Sequence, residues 1–153
     1  MGKVEIVEAK PQHAFHLAPI LRQADRDELA ALDNQHPLIS ISNSIKASDM
    51  AWTALIDGQV MAIFGVAPVS ILDSSGYIWL LGSHLVDKNS HTFLKNCPEY
   101  IKKMASRYQN MHNYVDARNE KSINWLTWLG FEIFEAVPYG QYGLPFHRFE
   151  MRS

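Results

Sequence analysis

A single cysteine, Cys97, excludes an internal disulfide and any cysteine-rich zinc site, and it fits a reducing compartment. Charge of one sign is also missing. The formal net charge of −2 predicts no general attraction to nucleic acid or to an anionic membrane. No apolar run approaches the ~20 residues that a membrane span needs, and the opening MGKVEIVEAK has no apolar targeting core. The expectation is a soluble, cytoplasmic protein. Glycine is absent from the whole stretch between Gly82 and Gly130. Apolar side chains, by contrast, make up 47% of the 153 residues, enough for the core of a single domain over 1–153.

The most ordered pattern in the chain is VDARNEKSINWLTWLGFEIF, Val115 to Phe134. Tyr114 and Val115 favour a strand over Asn113–Ala117. Asn119 can cap a helix that opens on Glu120, where an acidic residue suits the positive end of the helix dipole. Ile123, Leu126 and Leu129, with Trp125 and Trp128 beside them, form a wide apolar face. Gly130 stops the helix in a left-handed conformation, and Phe131 folds back to start a further strand.

The rest of the chain is read in the same way. Val4–Ala9 is a strand. Pro11 opens a helix carrying Phe15, Leu17 and Leu21, which Pro19 bends or ends. Asp25 and Glu28 have the spacing of a capping box. Leu38, Ile41 and Ile45 suggest a short helix. Ala51–Ile56 and Gln59–Val66 flank Asp57-Gly58 as a hairpin with a type I′ turn. Tyr77–Leu81 is apolar enough to be a strand covered on both faces. Gly82–Ser90 reads as an irregular polar connector, and His91–Asn110 as a helix that Pro98 kinks or restarts. Val137–Gly143 is a glycine-rich turn before a last strand, Pro145–Met151.

The Asn119-to-Phe131 unit and this order of elements resemble the GCN5-related N-acetyltransferase (GNAT) family. The resemblance implies an α/β (α+β) fold: a mixed, mostly antiparallel sheet of six or seven strands with helices on both faces. It also implies acetyl-CoA as cofactor and a small-molecule or protein amine as acceptor. The thioester would lie between the splayed fourth and fifth strands, with Leu81, Gly82 and Ser83 holding the pantetheine arm. Two departures stand out. The family's [QR]-x-x-G-x-[GA] loop, whose backbone N–H groups meet the pyrophosphate, corresponds here to GSHLVDKNSH, which lacks those glycines. Lys88, Asn89, Ser90 and the helix start after them can still bind an anion, or can be a plain connector. The tyrosine that many members carry four residues before the Gly-Phe is Leu126 here.

The candidates for acid–base work are therefore Glu28, His36, His84 and Tyr139, with Tyr114 and Tyr142 as further hydroxyls near the end. An ordinary surface or core role is the alternative for each. Asn119 matches the motif asparagine near the cofactor, and a plain N-cap is its other role. His13 and His16 have no acidic or cysteine partner for a metal. Ser83, His84 and Asp87 are too close in sequence to make a hydrolase triad, and no G-x-S-x-G elbow exists.

A narrower resemblance rests on W-L-L-G-S at Trp79–Ser83 and N-Y-V-x-x-x-N-x-x-S-I-x-W-L-x-x-L-G-F at Asn113–Phe131. Leu21–Leu29, Trp52–Ala54, Gly65-Val66 and Phe146–Met151 fit it too. These are similar to GNAT-like proteins of tailed bacteriophages, some called internal virion or assembly proteins. That implies a phage or prophage origin, a host-cytoplasm or virion location, and a phage or host protein as a partner. Two readings stay open: an acetyl-CoA-dependent N-acetyltransferase, or a catalytically silent protein of the same fold acting in assembly or host interaction.

Overall fold

The computed structural model describes residues 2–153. Seven strands form one sheet in the order β1-β2-β3-β4-β5-β7-β6. They are β1 (Val4–Glu8), β2 (Met50–Ile56), β3 (Gln59–Pro68), β4 (Ser75–Gly82), β5 (Asn110–Asp116), β6 (Glu132–Tyr139) and β7 (Leu144–Arg152). Every neighbouring pair is antiparallel except β4 and β5. The mixed, mostly antiparallel sheet expected from the sequence is thus present, with Tyr77–Leu81 and Asn113–Asp116 in its central strands.

Helices cover both faces. On one lie α1 (Pro11–Leu17), α2 (Gln23–Leu32) and α3 (Pro37–Ala47), whose Leu17, Leu29 and Ile41 pack with Ile63 and Leu81. On the other lie α5 (Ser90–Ala105) and α6 (Glu120–Leu129), where Phe93, Cys97 and Met104 pack with Phe64, Ile78, Phe131 and Phe149. Alternation along β3 makes both cores possible, because Ile63 faces one layer and Phe64 and Val66 the other.

Local chemistry explains most of the boundaries. Asp57 and Gly58 have φ of 50° and 80°, the two positive angles that a type I′ hairpin needs. Gly130 has φ 102° and ends α6 as a left-handed cap, with the Phe131 N–H bonded to the Leu126 carbonyl.

Four expectations are corrected. The Gly82–Ser90 connector contains a short helix, α4 (His84–Lys88), capped by Ser83. Pro98 does not start a fresh helix, because α5 runs through it. Asp25 and Glu28 do not form a capping box. The helix has already begun at Gln23, so both acids lie within α2 and turn inward. No residue of α6 is fully buried, and Trp128 is exposed, because the helix borders a cleft and not a closed core.

Candidate active site

That cleft begins where β4 and β5 part. Only Ser75–Asn110, Gly76–Met111 and Tyr77–His112 are paired between them. Asn113 stands at the fork. Its Nδ2 donates to the Ile78 carbonyl at 2.9 Å, and its Oδ1 accepts from the Tyr114 N–H at 2.8 Å. One side-chain amide thus satisfies the two backbone groups that lose their strand partner. Beyond the fork, alternation in the β3–β4 ladder turns the N–H and C=O of Leu80 away from β3 and into the gap. No strand reaches them there.

Asn113→Ala is expected to leave an acceptor and a donor unpaired at the fork and to cost about 1–3 kcal/mol. The readout is a lower urea midpoint at unchanged slope. An unmoved midpoint would mean that solvent replaces the amide fully.

The gap opens into a slot of about 250 Å³ that passes through the sheet. Glu28, Leu29, Trp79 and Tyr114 line it on the α2 side, and Phe93, Ile101, Trp125 and Leu126 on the α5–α6 side. Beside the lining residues Asp25, Ser122 and Trp125 lies Arg22, which is 3% exposed. Arg22 Nη1 bonds Asp25 Oδ1 at 3.0 Å and Ser122 Oγ at 3.2 Å, and Nε bonds Asp87 Oδ1 at 3.1 Å. Its guanidinium lies 5.0 Å from the centre of the Trp125 ring. Lys121 also reaches Asp87, at 3.6 Å.

Asp25 closes this network onto the backbone by accepting the Gly82 N–H at Oδ2, 2.8 Å away. Burial raises the Asp25 carboxyl to about 6 against the opposing pull of Arg22 and the Gly82 N–H, so it is ionised at neutral pH. Glu28, one turn further along α2, is half-buried, with Oε1 accepting the Asp116 N–H at 2.8 Å. Burial first, and then the charge of Asp25, pushes the Glu28 carboxyl up to about 8. At Asp116 burial also pushes upward, but the Arg118 guanidinium and N–H outweigh it and hold that carboxylate below its usual range.

Glu28, Leu81 and Asn119 line the slot. Asn119 caps α6, its Oδ1 accepting from the Ser122 N–H at 3.3 Å. Ser83 is wholly buried: its N–H goes to the Met61 carbonyl at 2.8 Å, and its Oγ donates to the Val60 carbonyl at 2.9 Å while capping Leu85. Lys88 is exposed, and Asn89 Nδ2 bonds the Leu85 carbonyl at 2.9 Å. Ser90 opens α5. His36 caps α3 from an exposed position and His84 is exposed at the start of α4, so neither lines the slot. Tyr139 borders it indirectly, stacked at 3.7 Å on Tyr114. The 138–144 turn docks on the end of α2 through the Gln141 N–H and Leu32 carbonyl, 2.7 Å apart.

Sequence reasoning missed Arg22 and Asn113. Both lie in stretches that carry the narrower resemblance, but nothing there marks their roles, because Ser122, Asp87 and Ile78 lie far along the chain. Among the described residues, no cluster has the makings of a metal site, and no helix is long and apolar enough to cross a membrane.

An acetyl-CoA-like donor can be compared with these groups part by part. The thioester end meets a lined slot and the unpaired Leu80 peptide groups. The phosphate end meets no free backbone donor at Gly82, Ser83, Leu85 or Val86. The Gly82, Ser83, Leu85 and Val86 N–H groups are all taken within the chain, by Asp25, Met61, Ser83 Oγ and the Ser83 carbonyl respectively. Asp25 and Asp87 add negative charge there.

The fold is found among solved acetyltransferases. A ribosomal-protein-alanine N-acetyltransferase from Brucella melitensis matches with TM-score 0.74 at 16% identity, over 97% of this chain and 99% of that one. A GCN5-related N-acetyltransferase from Kribbella flavida matches with TM-score 0.72 at 14% identity, over 98% of each chain. A GNAT-family acetyltransferase from Streptococcus pneumoniae matches with TM-score 0.67 at 15% identity, over 99% and 100%. The GNAT fold expected from the sequence is therefore present. No curated protein sequence matches the chain. A family model described as "Bacteriophage T7, probable scaffold protein Gp13" matches residues 55–136.

Proposed function

We propose, from the premise that this chain belongs to the family of the bacteriophage T7 probable scaffold protein Gp13, that it is a phage-encoded acyltransferase-like protein whose slot binds the thioester end of an acetyl-CoA-type donor. The observation that carries this reading is the fork at Asn113, which leaves the N–H and C=O of Leu80 free beside a lined slot. Those two groups suit the amides of a pantetheine arm. The donor supplies the activated carbonyl.

This chain's residues supply position and a base. Glu28 faces the slot from the α2 side, where an amine acceptor has access. The amine nitrogen bonds to the carbonyl carbon, its proton passes to the Glu28 carboxylate, and the carbon–sulfur bond breaks to release the thiolate, which takes a proton from water. Proximity does most of the work. Activity should rise with pH towards about 8, where Glu28 loses its proton.

The engaged N–H groups at Gly82–Val86 favour a second reading, a GNAT-fold assembly protein without turnover. Calorimetry with millimolar acetyl-CoA separates the two. The acyltransferase reading expects measurable binding that changes little with salt, because the phosphates find no engaged cations. Neither heat nor a thermal shift at that concentration would leave the assembly reading.

A further inference from the structure

We propose that the α5–α6 half of the slot is a hydrocarbon compartment and that its donor carries an acyl chain longer than acetyl. This deepens the acyl-thioester reading above and rests on it. One wall is the inner face of α5, with Phe93, Cys97, Ile101 and Met104; the facing wall is Leu126 and Leu129 of α6. Phe93 and Met104 are 1% exposed and Cys97 is 7% exposed. None of these side chains offers a strong hydrogen bond or a charge. Cys97 directs its thiol to the Phe93 carbonyl at 3.4 Å, and burial pushes that thiol up to about 12, so it stays protonated and acts as a small apolar group. The charged groups are held elsewhere, Asp25 and Glu28 both on the α2 side.

The whole slot, its α2 side with Asp25 and Glu28 included, has a volume of about 250 Å³, against the ~150 Å³ of an apolar cavity that accepts benzene. Water gains no partners on such walls, and the half-buried Leu94, Ile101, Leu126 and Leu129 lack dispersion contacts on the side that faces the slot. A hydrocarbon restores those contacts. Leu94 and Ile101, the partly exposed lining residues of α5, are about 10 Å apart along the helix axis, more than a two-carbon acyl group spans. Chain burial would also supply the affinity that the occupied Gly82–Val86 N–H groups cannot give.

The test is calorimetric titration with acetyl-, butyryl-, hexanoyl- and octanoyl-CoA, and separately with acetyl-pantetheine and octan-1-ol. On the wild-type chain, affinity should rise about fourfold per added methylene until the compartment is full. Cys97→Phe fills it. That variant should lose the dependence on chain length while holding acetyl-pantetheine within about twofold of wild type, which also shows that it has folded. If it does not fold, the wild-type series alone decides. A flat wild-type series with acetyl-pantetheine bound overturns the compartment and leaves the slot reading standing. Octan-1-ol bound without acetyl-pantetheine keeps the compartment and sinks the thioester reading. Binding of neither overturns both.

Discussion

Arg22→Met is expected to lower stability by about 3–5 kcal/mol at pH 8, because it removes the cation paired with the buried Asp25 carboxylate. Asp25 is 3% exposed and holds the Gly82 N–H, so it cannot turn to solvent without giving up the end of β4. Ser122 and Asp87 lose Arg22 at the same time, Asp87 keeping Lys121. For a chain of this length that loss corresponds to a melting temperature lower by ~10 °C. It should shrink as pH falls towards about 6, because without Arg22 the buried Asp25 takes up its proton at a higher pH than in the wild type. The double variant Arg22→Met with Asp25→Asn should recover much of it, since an amide oxygen can still accept from Gly82. Differential scanning calorimetry at two pH values reads all three. A single variant as stable as the wild type at pH 8 would mean that the network is not closed.

Glu28→Gln should act in the opposite direction on stability. The folded chain holds the Glu28 carboxyl near 8, above its ordinary 4.5, so the folded state binds this proton more tightly than the unfolded chain does. That contribution is complete below about pH 4.5 and is lost as pH rises through about 8. Water in the slot screens part of it. The variant keeps an oxygen to accept the Asp116 N–H and has no charge to desolvate. At pH 9 it should melt at least about 4 °C above wild type, and the gap should close towards pH 5. If Glu28 is the base, the same variant loses acyl transfer while gaining stability, a pairing that a structural role would not produce. Equal melting curves at pH 9 would place a well-hydrated carboxylate at this position.

The contrast between what the sequence revealed and what it hid follows from the range of the interactions. Asp57-Gly58 and Asn119 to Phe131 were readable because turn and cap chemistry act within a few residues. The central strands were readable from their apolar runs. The face that Asp25 and Glu28 present was not. Their spacing of three fits a cap as well as an inward helix face, and what decides is Gly82 and Asp116, 57 and 88 positions away. Arg22 has the same problem, with Ser122 a hundred positions off. Asn113 looks like any polar residue beside a strand until β4 parts from β5. The missing glycines after Gly82 were visible at once. Their structural counterpart, a backbone whose N–H groups are taken by Asp25, Ser83 and Met61, was not.

The central claim is that this protein holds an acyl thioester by the slot between β4 and β5 and not by its phosphates. Parallel titration with acetyl-pantetheine and acetyl-CoA tests it most directly. The two dissociation constants are predicted to agree within about threefold, a difference of less than ~1 kcal/mol. Acetyl-CoA binding more than about thirtyfold tighter would contradict the account, because it would show that the phosphates are held as well, with exposed Lys88 and the start of α5 as the groups within reach.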